Sequence, residues 1–159
     1  MVSDEVVIHQ ATVADMPDLV RLRRMMFEGM GWGGHEQLAA AEVASAAHLA
    51  EAIPTGKFRG WVAVTSTGET VSTGGVIVDQ HLPTPGNLSG KIGYVLNVAT
   101  DPRYRRRGIA RRIVQAILEW LAEQGVQRVA LHASDHGRLL YESLGFVPTT
   151  NEMRLEIHE

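Results

Sequence analysis

Five arginines crowd around one glycine. Arg105, Arg106 and Arg107 precede Gly108-Ile109-Ala110, and Arg111 and Arg112 follow. Just upstream, Tyr94–Thr100 (YVLNVAT) is apolar and β-branched, the pattern of a buried strand. Asp101-Pro102 breaks it, because proline has no N–H for a ladder. Downstream, Ile109, Ile113, Ile117 and Leu121 recur at every fourth position and make one apolar helix face, with Trp120 beside it. A strand, a tight turn and a helix in this order bind anions for a physical reason. The first N–H groups of a helix lack intrahelical partners and sit at the positive end of its dipole. Gly108 and Ala110 carry almost no side chain, so a phosphate can approach the backbone, and the arginines add full charges. The expected ligand is a pyrophosphate or a group equally anionic.

The glycine pattern narrows the ligand. No Gly-Lys-Ser/Thr is present, which argues against a P-loop, and one glycine replaces the three of a dinucleotide fingerprint. What stands here is Arg-x-x-Gly-x-Ala over Arg105–Ala110, with Pro102-x-Tyr104 before it and Tyr141-Glu142-Ser143-Leu144-Gly145-Phe146 later. Together with the flanking strand and helix, these motifs resemble the GNAT superfamily of acyl-CoA-dependent N-acetyltransferases. The resemblance runs from about Val7 to the C-terminus, and its specific motifs lie in Tyr94–Phe146. It implies an α/β fold with a central mixed sheet flanked by helices. It implies acetyl-CoA as cofactor, its pyrophosphate held by Arg105, Arg106, Arg107, Gly108, Ile109, Ala110 and Arg111. The backbone of Val98, Ala99 and Thr100 would bond the pantetheine arm and polarise the thioester carbonyl. Tyr141 would protonate the departing thiolate, a reasonable transfer between a phenol of pKa ~10 and a thiol of ~8.5. An amine would attack directly and give a tetrahedral intermediate; with no cysteine in the chain, no thiol nucleophile intervenes. Ser134 departs from the family, whose members often carry asparagine there to bond the pantetheine arm, and Gly137 stands where alanine is common.

The acceptor side is less defined. In the resemblance, the two helices after the first strand wall the acceptor site, which assigns Phe27, Glu28, Trp32 and His35 to it. Asp79 and His81 lie at the entrance of the loop 80–91, which would close the same side. The general base is open. No acid lies between Tyr94 and Thr100, and the candidates are Glu28, Asp79, His81 and His132; Asn97 can orient a water but takes no proton. The histidines show no metal-binding spacing, so no metal site is expected.

The remaining chain must position these residues. At 159 residues it is expected to be one domain, residues 5–159. Glu5–His9 reads as a first strand, Ala14–Met30 and His35–Ala52 as helices, with Pro54 closing the second. Phe58–Thr65 and Thr70–Asp79 form a hairpin in which Gly74-Gly75 marks a bulge or close approach. Gln127–Ala133 is a strand, Asp135–Ser143 a short helix, and Thr149–Ile157 a last strand. That last strand allows a homodimer without requiring one. The order gives parallel central strands across a crossover. Met1-Val2-Ser3-Asp4-Glu5 carries no leader pattern and no apolar run is long enough to span a bilayer, so no membrane partner and a cytoplasmic address are expected. Two other readings are a non-catalytic acyl-CoA sensor and a nucleic-acid binder using the arginine run. A net charge of −3 and the lack of an aromatic platform weigh against the last.

Overall fold

Strands flanked in sequence by helix-forming segments on both sides need apolar residues on both faces. The computed structural model of the protein describes residues 5–149 and 151–158. Residues 1–4, on which the absence of a leader was read, lie outside the described range. Among the described residues, five strands form one sheet in chain order: β1 (Val6–Gln10), β2 (Arg59–Thr65), β3 (Thr70–Gln80), β4 (Lys91–Thr100) and β5 (Arg128–Leu131). The first three junctions are antiparallel, and β4 pairs β5 in parallel. Helices α1 (Met16–Met30) and α2 (His35–Thr55) lie between β1 and β2, α3 (Ile109–Glu123) makes the crossover from β4, and α4 (Arg138–Ser143) follows β5. This is the mixed α/β sheet that the sequence predicts.

Alternation along the strands divides the core in two. Trp61, Ala63, Val71, Val76 and Val95 face α3, whose Ile109, Ile113, Ile117 and Leu121 are all buried. Each such side chain contributes ~1.5–3 kcal/mol on burial. On the opposite face Val62, Val64, Ile77 and Leu96 meet Leu19 and Val20 of α1 and Leu49 and Ala52 of α2. The glycine pair marks a close approach, and the bulge lies opposite it in β4 rather than in β3. Thr73 pairs with Ala99 and Gly75 with Leu96, so Gly74 of β3 faces both Asn97 and Val98 of β4. Gly74 and Gly75 are required by close packing. A Cβ on Gly74 would stand 2.6 Å from Ile113 Cγ2, and one on Gly75 2.2 Å from Phe58 Cζ.

Several boundaries differ from expectation, among them the start of β4 at Lys91 rather than Tyr94. Pro54 does not close α2 but lies inside its last turn. The Thr55 hydroxyl donates to the Glu51 carbonyl (2.9 Å), and Gly56 in the left-handed region ends the helix. Both β5 and α4 are shorter than predicted, by residues at both ends of the strand and at the start of the helix. The last strand, predicted over Thr149–Ile157, is not formed by the described residues 151–158. Met153, Leu155 and Ile157 are exposed there. Alternation tells which side chains would share a face, but a strand also needs a partner edge, and β5 offers only four residues.

Candidate active site

The chain from β4 into α3 turns on two residues with positive φ, Arg106 at 63° and Gly108 at 76°. Gly108 is the N-cap of α3. The first intrahelical bond runs from the Arg112 N–H to the Gly108 carbonyl at 3.2 Å, so the N–H groups of Ile109, Ala110 and Arg111 precede it without helical acceptors. A Cβ placed on Gly108 meets nothing within 4 Å. The turn is therefore open above its free N–H groups, and its residues fit a pyrophosphate.

The arginines divide by what they touch. Arg103 is held by Asp101 and Glu69 and is spent on structure. Those guanidinium contacts, with the Arg103 N–H at 2.9 Å, hold the buried Asp101 carboxyl below its ordinary range. Arg105 Nε reaches the Thr100 carbonyl at 3.4 Å, and Arg107 lies over the Tyr104 ring at 5.0 Å. Arg105, Arg106 and Arg107 all remain exposed at the turn. Arg111 Nη1 donates to Ser143 Oγ at 2.6 Å and ties the first turn of α3 to α4. Arg112 turns the other way, to the Val6 carbonyl at 3.2 Å.

Beside this turn the sheet opens. Pairing of β4 with β5 stops at Val95 and Leu131, while β4 continues to Thr100. Asn97 sits at φ 59°, a left-handed conformation that asparagine tolerates better than most residues. Thr73 Oγ1 donates to the Asn97 carbonyl (3.1 Å) and Ser72 Oγ to the Ala99 carbonyl (3.0 Å), both from the β3 side. Backbone groups alternate sides along a strand. The bulge at Asn97 and Val98 interrupts that alternation just where β5 has stopped pairing. The Val98 side chain packs with the α3 core.

Tyr141 is buried in α4 against Phe146, ring centroids 5.8 Å apart. Burial pushes its phenol up to about 12. Among the described residues its hydroxyl has no hydrogen-bond partner, and it is not sealed from solvent. Ser134 Oγ accepts the Gly137 N–H at 3.2 Å, which leaves the hydroxyl proton free to donate. A Cβ on Gly137 would lie 3.0 Å from Tyr141 Cε2 and 3.4 Å from Ser134 Oγ. The two departures from the family pattern are thus packed against each other.

On the α1/α2 face a cavity of about 270 Å³ reaches β4 at the opening, lined by Arg23, His48, Phe58, Ile77, Leu96 and Asn97 among others. None of the six residues assigned to the acceptor wall lines it. Phe27 stacks on Trp32 with ring centroids 5.5 Å apart and carries the Arg23 guanidinium 4.7 Å above its ring. Glu28 pairs with Arg24 at 3.1 Å, and His35 Nδ1 lies 3.0 Å from Arg24 Nη2. Asp79 and His81 are exposed at the far end of β3 and just after it.

Of the base candidates, Glu28 is tied up by the Arg24 guanidinium, whereas His132 joins a phenol to a carboxylate. Its Nδ1 is 2.5 Å from the Tyr94 hydroxyl and its Nε2 is 2.5 Å from Glu152 Oε2. A carboxylate only accepts, so Nε2 donates to Glu152; with one proton on the ring, Nδ1 is the acceptor for the Tyr94 hydroxyl. Burial, then the Glu152 carboxylate, holds the Tyr94 phenol above its ordinary value. Tyr94 pairs across the ladder with Ile77, which lines the cavity, and lies two residues before Leu96, which also lines it. Sequence reading missed Arg23, Tyr94 and Glu152. One signal was available for Arg23: Arg24 has an acid four residues on, whereas Arg23 has Phe27.

The Acetyltransferase (GNAT) family pattern matches residues 23–146, and the chain belongs to that family. Its members take an acetyl group from acetyl-CoA. A GCN5-related N-acetyltransferase from Ralstonia eutropha JMP134 is 30% identical, with a TM-score of 0.87 over 96% of this chain and 99% of that one. A Clostridium acetobutylicum protein described as a predicted acetyltransferase with acetyl-CoA superposes with the same TM-score of 0.87 at 22% identity, covering 96% of each chain, and shares the fold. The glucosamine 6-phosphate N-acetyltransferase of Trypanosoma brucei brucei is 26% identical over 57% of this chain; the match spans 60% of that relative. Among the described residues, no helix is long and apolar enough to cross a membrane.

Proposed function

We propose that this protein transfers the acetyl group of acetyl-CoA to a primary amine bound on the α1/α2 face of the sheet. The observation that carries this reading is the opening between β4 and β5 beyond Val95, with the anion turn at Gly108 beside it and the cavity reaching it at Asn97. Acetyl-CoA would supply an activated thioester. Arg105, Arg106, Arg107 and the N–H groups of Ile109, Ala110 and Arg111 would hold its pyrophosphate. The backbone of Val98, Ala99 and Thr100, on the stretch of β4 that β5 leaves unpaired, would supply the N–H donor for developing oxyanion charge. Tyr141, protonated at neutral pH, would give its proton to the departing thiolate; burial, which raises the phenol to about 12, makes that transfer steeper than the ordinary values imply.

The amine must lose a proton before it attacks. Tyr94 accepts it on oxygen while passing its own to His132 Nδ1, and the resulting imidazolium is stabilised by Glu152. The amine of the glucosamine phosphate named for the Trypanosoma relative is an acceptor of this chemical kind.

The test is calorimetric titration with acetyl-CoA, followed by CoA thiol release with a panel of amines. Saturable binding and amine-dependent release are expected. Binding without release from any amine would leave an acyl-CoA sensor. No binding at millimolar ligand would overturn the reading.

A further inference from the structure

Arg23 stands out among the arginines of α1. Its neighbours are neutralised: Arg21 by Asp18, and Arg24 by Glu28 and Glu42. Arg23 is half-buried, and among the described residues it has no carboxylate partner. Its contacts are the Asn97 amide oxygen at 3.3 Å and the Phe27 ring. Removal from water lowers its pKa from the ordinary value, yet a guanidinium stays charged at neutral pH. A cation partly taken out of water is costly unless something pairs with it. Asn97 cannot do so fully, since it offers a neutral oxygen and its own amide reaches the Leu19 carbonyl at 3.5 Å.

The cavity that Arg23 lines is otherwise mostly apolar, with Leu49, Phe58, Ile77 and Leu96 as its walls. Its volume of about 270 Å³ suits one small molecule. Resting on the acetyltransferase reading, we infer that the acceptor is a small amine carrying a carboxylate on an apolar body, with the carboxylate paired to Arg23 and the amine directed to the β4 opening. One guanidinium balances one carboxylate charge, whereas a dianionic phosphate would bring excess charge into apolar walls. The fork geometry of arginine also matches a planar carboxylate.

The experiment compares matched acceptors in the CoA-release assay with the purified full chain. Leucine is set against isoamylamine, phenylalanine against phenethylamine, and phosphoethanolamine serves as the phosphate arm. A charge-assisted pair predicts the acid of each pair to be favoured by ~10-fold or more in kcat/KM. Arg23→Gln should shrink that gap to within about twofold, and Arg23→Lys should retain part of it. Equal turnover of acid and decarboxylated amine, a gap unchanged in Arg23→Gln, or preference for phosphoethanolamine would each overturn the proposal. Calorimetric titration of leucine and phenylalanine without acetyl-CoA separates this inference from the one beneath it. Binding of an acid that Arg23→Gln abolishes supports the pocket even if acetyl-CoA does not bind. Intact acetyl-CoA binding with no affinity for either acid overturns the pocket alone.

Discussion

At the scale of single residues the sharpest assignment is Tyr141, a buried phenol whose hydroxyl finds no partner among the described residues. Tyr141→Phe keeps the ring against Phe146 and removes only the proton donor. We expect kcat to fall by ~10²-fold, the lower end for general acid catalysis, with acetyl-CoA affinity within about twofold. Unchanged single-turnover chemistry would remove Tyr141 from the reaction. The same substitution has a signature in stability. Burial raises the folded-state value to about 12, above the ordinary unfolded value of ~10. Below the unfolded value both states hold the proton and nothing titrates differentially. As pH rises from there through the folded value, the unfolded chain ionises first and stability is lost. Tyr141→Phe should flatten that alkaline slope in denaturant unfolding. Gly108 makes a complementary case, because its φ of 76° strains any L side chain while its surroundings are open. Gly108→Ala should cost ~1 kcal/mol in stability and little affinity. Gly108→Glu should abolish acetyl-CoA binding by placing a carboxylate over the free N–H groups, as calorimetry would read; retained affinity would move the anion site elsewhere.

At the scale of elements, the bulge between β3 and β4 organises the site. Gly74 facing Asn97 and Val98 changes which way the backbone of β4 points just where β5 lets go. The close approach at the glycine pair was legible in the sequence, and so were the turn, the α3 face and the parallel crossover, because each rests on local periodicity or glycine chemistry; the bulge opposite the glycines, at Asn97 and Val98, was not. What was not legible depends on distant partners. Arg23 and Asn97 are separated by α2 and most of the sheet in the chain, and Tyr94, His132 and Glu152 come from three segments. The final strand failed for the same reason, since its alternation carries no information about a partner edge. Gly75→Ala tests the packing: its Cβ would lie 2.5 Å or less from two Phe58 ring atoms. Overpacking of this kind costs ~1–3 kcal/mol, and because Phe58 also lines the cavity, acceptor KM should rise with it. A Tm unchanged from the parent would show that Phe58 moves aside freely. The Tyr94–His132–Glu152 chain has a different readout. His132→Asn should lower kcat/KM for the amine by ~10²-fold near neutral pH. The deficit should shrink as pH approaches the amine's own pKa of ~10.4, where solvent removes the proton. A deficit constant across pH would make His132 structural.

At the scale of the whole molecule, the site is an opening between parts rather than a pocket within one. The proposed anion turn belongs to the start of α3, the proposed oxyanion donor to β4, the proposed acid to α4, and the cavity is lined from α1, α2 and the opposite sheet face. The Arg111–Ser143 bond links the turn to the helix of Tyr141, and the Arg23–Asn97 contact links α1 to the bulge. A ligand lying along the opening would therefore join elements that otherwise meet across few bonds, and its binding energy should appear as global stability. At ~100 times its Kd, a ligand that binds only the folded state adds ~2.7 kcal/mol. For a chain of about this size each kcal/mol raises Tm by ~2–4 °C, so saturating acetyl-CoA should raise it by roughly 5–10 °C. Gly108→Glu should erase that shift even though its own stability is near that of Gly108→Ala. Desulfo-CoA, which keeps the pyrophosphate and loses the thioester, should retain most of the shift if the anion turn dominates binding. A shift that survives Gly108→Glu, or one produced by acetyl-CoA and not by desulfo-CoA, would put the main contacts at the acetyl end and remove the turn from its assigned role.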